Sequence, residues 1–557
     1  MVDTTQVPQE HNMRDYDAAR RDFHLDVPEE FNWARDVIGR WAADPARLAM
    51  LWLGPAGERR LTFAEFDRRA NQVAAALRDA GIRKGDRVAI MLPRVPEWWE
   101  AVLGIMKLGA VSMPGTILLT PKDIAYRIHA SEARAVITDA AGAQKVDQVR
   151  PETPSLAVRL LVGGADPLPA GWVDYEQVVR AAPADYHGEP TRSSDPAMVY
   201  FTSGTVGYPK MVLHTQASYP IGHIITGQYW LDLRPEDLHW NAADNGWAKA
   251  AWSSLFGPWN MGAALFVQDS RGKFNAGETL DLLARYPITT FCAPPTVYRT
   301  LVLEDLQRYH FPHLRWCVGA GEPLNPEVIE IWRAATGLTI RDGYGQTETV
   351  LLVGNFPPLP VKPGSMGKPA PGFDVAVIDD AGQEVAPGQE GDIAVRIRPT
   401  RPIGLFQEYW RNPEATAGAA RGDWYVTGDR AVQDADGYFW FVGRADDVII
   451  SAGYRIGPFE VESALIEHPA VAEAAVVASP DALRGEIVKA FVILAPGYTG
   501  SAALIQEIQE HVKTVTAPYK YPREIEFVRE LPKTVSGKIR RVELREQERQ
   551  RKGEAHA

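Results

Sequence analysis

The 557-residue chain is poor in cysteine, in basic excess and in long apolar runs. Its two cysteines, Cys292 and Cys317, lie in apolar, strand-like segments. Two thiols make no disulfide framework, so a reduced, cytoplasmic setting is expected. A net charge of −12 argues against a nucleic-acid binder, which carries a basic excess. The longest apolar region, Ala101 to Leu119, is broken by Lys107 and Pro114, and no membrane span is expected. The opening "MVDTTQVPQEHNMRDYDAARRDF" mixes acids with bases and holds no apolar run. It reads as neither a secretory signal nor a mitochondrial transit peptide. No repeat of fixed period and no low-complexity tract is apparent.

What is present is ordinary for a globular protein: 45% hydrophobic and 23% charged residues, in a chain long enough for at least two domains. From about Thr62, short apolar runs alternate with helical patterns. "RVAIML", "AVSMPG", "ARAVITDA", "RLLVGG", "ITTFCAPP", "LRWCVGAGEP" and "LTIRDGYG" read as strands, and "EWWEAVLGIMKLG" as a helix. Asn325-Pro326 before "EVIEIWRAATG" is a helix start, with a capping residue and proline in the first turn. Such alternation indicates an α/β fold of parallel sheets flanked by helices, whose functional loops follow the carboxyl ends of strands. After about Gly443 the order becomes strand, helix, strand, strand, then a helix over 501–516, the strand "EIEFV" and a charged helical tail. That is a small α+β unit. The expected domains are 1–445 and 446–557, with the hinge in the acidic Ala445-Asp446-Asp447.

The most informative stretch is "YFTSGTVGYPKMVLHT", Tyr200 to Thr215. Glycines, hydroxyls and a lysine suit a loop that wraps phosphates. The Walker pattern needs GxxxxGK[ST] followed at once by a helix. Here Lys210 follows Pro209, and the flanking "MVYF" and "MVLHT" are strands. The Walker reading therefore fails. A different nucleotide loop or a plain polar hairpin tip remains.

Later motifs extend the pattern. "DGYGQTE", Asp342 to Glu348, sets an aromatic face beside open backbone, suited to stacking a purine. Glu348 offers a hard oxygen ligand for magnesium. "YVTGDRA" places Asp429 after a turn, where a carboxylate suits ribose hydroxyls, and Arg444 suits a phosphate or ribose contact. "PKTVSGKIRR" carries Lys538 in a Ser-Gly loop. "HFPHLRWC" imitates zinc spacing but has no second pair of ligands, and reads as structural.

Together, in this order and over nearly the whole chain, these motifs resemble the adenylate-forming superfamily of acyl- and aryl-CoA synthetases, luciferases and peptide-synthetase adenylation domains. "MPGTI", "NGW", "FPHLRWCVGAGEPL", "KPGSMGKPAPGFDV", "SAGYRIGPFEVESALIEHPAV" and "VTAPYKYPREIEF" look like the medium-chain acyl-CoA synthetase branch. The resemblance implies a large nucleotide-binding domain and a small mobile one. It implies ATP, Mg2+ and coenzyme A as cofactors and a small carboxylic acid as partner, with the oligomeric state, monomer or homodimer, left open. It implies that Thr202, Ser203, Gly204, Thr205, Val206, Gly207 and Lys210 hold phosphates, with Glu348 and Thr205 on the metal. Gly321, Glu322, Pro323, Asp342, Gly343, Tyr344, Gly345, Gln346 and Thr347 line the adenine pocket. Asp429 and Arg444 take the ribose, and Lys538 bridges acyl carboxylate and α-phosphate, with Glu348 and Lys210 also catalytic.

Gly246 and Trp247 are implied for the acyl pocket, whereas Trp240, Trp252 and Trp259 read as core of a helical stretch. In a second half-reaction the small domain pivots at Asp446, and Ala452, Gly453, Tyr454 and Arg455 approach the pantetheine arm. Ala452 stands where a serine is expected. Arg484, Lys513, Tyr521, Pro522 and Arg523 surround the nucleotide end of coenzyme A. The implied activity is an acid:CoA ligase releasing AMP and pyrophosphate, acting on a medium-chain acid, or alternatively on an aromatic (benzoate-type) or short branched one. A carrier-loading adenylation enzyme is the competing class, and the basic residues Arg484, Lys513 and Arg523 favour free coenzyme A against it. A silent binding protein would have lost Lys538, Glu348 or Asp429, and all three are present.

Overall fold

A computed structural model describes residues 11–202, 209–272, 274–451, 454–481, 484–533 and 538–554. Among these the strands form four sheets. The first runs Glu408–Tyr409, Met211–Thr215, Pro196–Phe201, Val111–Pro114, Arg87–Met91, Ala135–Thr138, Val158–Leu161, Val173–Asp174. Its pairs are parallel except the hairpin Pro196–Phe201/Met211–Thr215 and its neighbour Glu408–Tyr409. The second sheet centres on the parallel set Ile340–Tyr344, Trp316–Ala320, Thr290–Ala293, Leu238–Asn241, Ala264–Gln268 and Leu48–Gly54.

The local reasons are those read in the sequence. The helix Pro96–Lys107 crosses between the parallel strands Arg87–Met91 and Val111–Pro114. It is buried nearly all round, as a helix with packing partners on every side must be. Asn325 caps Pro326–Thr336 by accepting from the Glu327 amide at 2.9 Å, and Gly337 ends it with a left-handed φ of 75°. Trp98, Trp99, Trp230, Trp259 and Trp332 are fully buried. Truncating one ring of this kind costs about 3–5 kcal/mol.

Two outcomes differ from expectation. A third, wholly antiparallel sheet joins Val375–Ile378, Glu390–Arg396, Trp424–Gln433, Ala420–Arg421 and Phe439–Arg444, where alternation of inward and outward residues does not announce which layer it serves. Trp240 lies on the strand Leu238–Asn241, not in a helix, while Trp252 and Trp259 are helical. His310 and His313 are exposed, whereas Cys317 is buried in the core behind them.

The fourth sheet belongs to the C-terminal segment: Tyr454–Ile456, Ile449–Ser451, Gly485–Leu494, Val471–Asp481 and Glu524–Phe527, packed with helices Pro458–Ile466 and Ala502–Val515. Its tail helix Arg541–Glu554 is tied down by Lys489 to the buried Glu548 at 2.7 Å and by Arg541 to Glu462 at 2.6 Å.

Candidate active site

The Tyr200–Thr215 stretch is a hairpin of two antiparallel strands, closed by the Thr202 amide on the Lys210 carbonyl at 3.0 Å. Ser203, Gly204, Thr205, Val206 and Gly207 lie outside the described residues. The hairpin base is positioned from two sides. Tyr126 donates to the Pro209 carbonyl at 2.9 Å, and Tyr409, paired with Val212, lies 4.6 Å below the Lys210 ammonium. The Tyr409 hydroxyl also donates to Glu348 Oε1 at 2.8 Å. Burial pushes the Glu348 carboxyl up, while Tyr409, Arg444 and Lys210 pull it down. A cation, a ring and a carboxylate thus stand together at the base of the hairpin.

The second group sits at the carboxyl ends of the parallel strands, where such folds bind ligands. Ala320 ends one strand, and Gly321 follows with φ 108°. Glu322 is ion-paired to Arg299 at 2.9 Å. Asp342 accepts from the Gly343 amide at 2.9 Å, and burial raises its pKa to about 7. Gly343 and Gly345 face Trp230 and Trp252 so closely that an added Cβ would lie 2.6 Å and 2.3 Å from ring carbons. Only glycine lets this strand end pass the two rings.

Asp429 Oδ2 accepts from Tyr344 at 2.6 Å and from Gln346 at 2.6 Å, while Arg444 stands 3.5 Å from Oδ1. Tyr425 in turn donates to Gln346 at 2.9 Å. The Tyr344 hydroxyl is therefore spent on Asp429. Burial raises the Asp429 pKa, and Arg444, Tyr344, Gln346 and Lys538 oppose it. Lys538 is exposed, and its charge acts on both Asp429 and Lys249. The C-terminal segment thus brings this charge within reach of Asp429 and Lys249.

Sequence reasoning missed several participants. His214 and Tyr219, stacked at 3.4 Å, both reach the Thr347 carbonyl, His214 at 2.8 Å. Burial pushes His214 down to about 3, so it serves as a neutral strut. His214 lies in the quoted "MVLHT", but nothing in that run marks its partner 133 residues away. Tyr409 and Lys249 gave no local signal either.

At the residues expected for the acyl pocket, the Gly246 amide donates to Asp244 at 2.7 Å, and a Cβ on Gly246 would lie 2.0 Å from the Thr116 amide nitrogen. Trp247 starts the helical turn Ala248–Ala250 and stays half-buried, unlike the buried Trp240, Trp252 and Trp259. In the C-terminal segment Tyr454 and Arg455 are exposed on one hairpin, whose Ser451 pairs with Gly485 beside Arg484. Lys513 and Arg523 lie over the Tyr521 ring at 4.3 and 5.0 Å, and the Pro522 carbonyl accepts from Gln509 at 2.9 Å. Ala452 and Gly453 lie outside the described residues.

Between the two segments, the Ala445 amide donates to Gly428 at 3.0 Å, and the Asp447 and Val448 amides to Arg444 at 3.0 and 3.3 Å. Arg545 donates to the Asp446 carbonyl at 2.7 Å and pairs with Asp447.

These features define an adenylate-forming enzyme. The models of the AMP-binding enzyme and of the AMP-binding enzyme C-terminal domain match residues 39–410 and 460–538, and the chain belongs to this family, in its medium-chain acyl-CoA synthetase branch. It is 49% identical over 554 residues to the mitochondrial acyl-coenzyme A synthetase ACSM3 of Homo sapiens, covering 98% of this chain and 94% of that one. It is 49% identical over 546 residues to the human mitochondrial acyl-coenzyme A synthetase ACSM4, covering 96% and 93%. Among solved structures it resembles the anthranilate CoA ligase AuaEII in complex with anthranoyl-AMP, with TM-score 0.87, 33% identity and 95% and 99% coverage. The fold is thus that of the adenylate-forming ligases, as expected. The cytoplasmic setting is corrected: these relatives are mitochondrial by name. Buried, unpaired Cys292 and Cys317 fit any reducing compartment, so the thiol argument never separated cytosol from matrix.

Proposed function

We propose that this acid:CoA ligase activates a medium-chain carboxylic acid through an acyl adenylate and passes the acyl group to coenzyme A. The carrying observation is convergence. The Lys210–Tyr409–Glu348 group, the Tyr344/Gln346–Asp429–Arg444 cluster and Lys538 come from distant parts of the chain, and Arg444 acts on both carboxylates and Lys538 on Asp429.

In the first half-reaction a carboxylate oxygen attacks the α-phosphorus of ATP, and the bond to pyrophosphate breaks. Charge builds on phosphate oxygens, where preorganised cations act most strongly. Lys210 and the loop from Thr202 take the β- and γ-phosphates, and Lys538 bridges the acyl carboxylate and the α-phosphate. Asp429 and Arg444 hold the ribose, and the 342–347 backbone with Gly321, Glu322 and Pro323 lines the adenine. Glu348 suits magnesium, with Thr205 as the other proposed ligand. It is a half-buried carboxylate with one oxygen held by Tyr409, and a bound magnesium would neutralise phosphate charge. In the second half-reaction the coenzyme A thiol attacks the acyl carbon and AMP leaves. Residues 446–557 pivot at Asp446, withdrawing Lys538 and bringing Ala452 to Arg455 to the cleft, with Arg484, Lys513, Tyr521, Pro522 and Arg523 around the nucleotide end.

Gly246 and Trp247 form the acyl wall in this reading. An aromatic acid is the second candidate, favoured by the half-buried Trp247 ring and the likeness to an anthranilate ligase. The test is pyrophosphate release over a panel of aliphatic and aromatic acids, with and without coenzyme A. Release that needs no acid would defeat the reading.

A further inference from the structure

The helix Pro121–Ser131 packs beside the Tyr200–Thr215 hairpin, and both of its ends are fixed. Thr120 and Asp123 cap one end reciprocally, and Arg87 donates to the Ser131 carbonyl at 2.7 Å at the other. Two neighbouring side chains of its middle turn reach the hairpin. Tyr126 donates to the Pro209 carbonyl, at the foot that leads into Lys210. Arg127 lays its guanidinium 4.5 Å from the centre of the Phe201 ring, at the foot that leads into Thr202. Tyr126 meets that same ring edge-on at 6.2 Å.

The guanidinium is out of keeping with its surroundings. Arg127 lines a narrow crevice whose other walls include Met91, Met113, Leu119, Ile124 and Ile128. Among the described residues it makes no hydrogen bond and no ion pair. Asp123, one turn earlier, acts on its charge, but that carboxylate is bonded to Thr120. Holding a cation among apolar groups is costly, and an apolar side chain of the same length would fill the space without that cost. The charge therefore has a use, and the group it meets is the Phe201 ring. A desolvated cation on an aromatic face is held more firmly than one in water.

We infer that Tyr126 and Arg127 are positioning residues for the triphosphate: one helical turn holds both feet of the hairpin and so sets its affinity for the β- and γ-phosphates. This rests on the phosphate reading of the loop above. A loop must pay in order when it closes on an anion, and feet already held at the right spacing lower that cost. AMP, which lacks the two outer phosphates, is indifferent to the feet.

The test measures binding of ATP, pyrophosphate and AMP to the full-length enzyme by calorimetry in magnesium buffer, without acid or coenzyme A. Arg127→Met keeps the length and removes the charge. It is expected to weaken ATP and pyrophosphate by about 2–30-fold and to leave AMP unchanged. Arg127→Lys, which keeps a cation over the ring, should restore most of the loss. Tyr126→Phe should weaken ATP by about 2–10-fold, again sparing AMP. Wild-type affinity for ATP and pyrophosphate in Arg127→Met overturns the inference. So does an equal loss for ATP and AMP, which would make the helix a general support of the fold. If Arg127→Met does not fold, Tyr126→Phe decides, and an unchanged ratio of ATP to AMP affinity overturns the inference. A wild type that binds ATP no more tightly than AMP would defeat the phosphate reading of the loop, and the inference with it.

Discussion

Glu348 and Tyr409, 61 residues apart in the chain, are joined by a 2.8 Å hydrogen bond in which the phenol donates to the carboxylate. The same ring carries the Lys210 ammonium on its face. One tyrosine therefore orients both the carboxylate proposed for the metal and the lysine of the phosphate loop.

Tyr409→Phe keeps the ring and removes the donor. That hydrogen bond lowers the Glu348 pKa against the burial that raises it, so its loss moves the pKa further up. The acid limb of the pH profile for pyrophosphate release should shift to higher pH. Activity well above that limb should fall by roughly 10–150-fold at most, since a hydrogen bond to a charged group contributes about 1.5–3 kcal/mol. An unmoved acid limb would detach Tyr409 from Glu348 function.

Lys538→Ala should slow adenylation by about 10²–10³-fold, the cost of a lost oxyanion-type donor. Thioester formation from supplied acyl adenylate should survive. Equal damage to both half-reactions would make Lys538 structural.

Asp342 gives a stability prediction with a definite sign. Its folded pKa is raised to about 7 from an ordinary 3.8, so between those values the folded state holds a proton that the unfolded state has lost. Stability from this group is therefore unimpaired below the lower value and declines as pH rises toward the upper. Asp342→Asn should melt above the wild type at pH 8, by up to about 4 kcal/mol, with the gap closing toward pH 4. A pH-independent gap would place the effect elsewhere.

At the proposed pivot, Arg545 holds the Asp446 carbonyl and Asp447, while the Ala445 amide is held by Gly428. The freedom left lies in the φ and ψ of Asp446 itself, at the cost of the amide bonds to the Arg444 carbonyl. Asp446→Pro fixes φ near −65° and should yield a single burst of pyrophosphate followed by slow thioester formation. Asp446→Ala should be mild. Normal turnover by the proline variant would move the pivot elsewhere.

The fold was largely legible because its signals are local. Alternating runs, the Asn325-Pro326 start and the change of texture after Gly443 each read within a dozen residues, and each element formed where expected. The antiparallel third sheet was not, since its pairing joins segments such as Glu390–Arg396 and Trp424–Gln433 by register alone. At the candidate site, residues inside motifs could be named from the sequence, and the residues that hold them from afar could not. His214 reaches Thr347, Tyr409 reaches Glu348 and Lys249 reaches Ala320 across 133, 61 and 71 positions. Tyr344 shows the opposite limit: its place in the motif was plain, but the bond of its hydroxyl to Asp429 depends on a partner that only folding supplies.

The contact between Gly246 and the backbone of Gly115-Thr116 has a consequence for how this enzyme can change its diet. With a Cβ at 246 forced to within 2.0–2.4 Å of main-chain atoms, the lip formed by these two loops cannot be remodelled by substitution there without moving the backbone of both. If Gly246 and Trp247 wall the acyl pocket as proposed, drift toward other acids is channelled instead to side chains that can change size without moving backbone, the half-buried Trp247 first among them. A library that varies Trp247 and leaves Gly246 alone should return active variants of altered preference, whereas one that varies Gly246 should return mostly inactive chains.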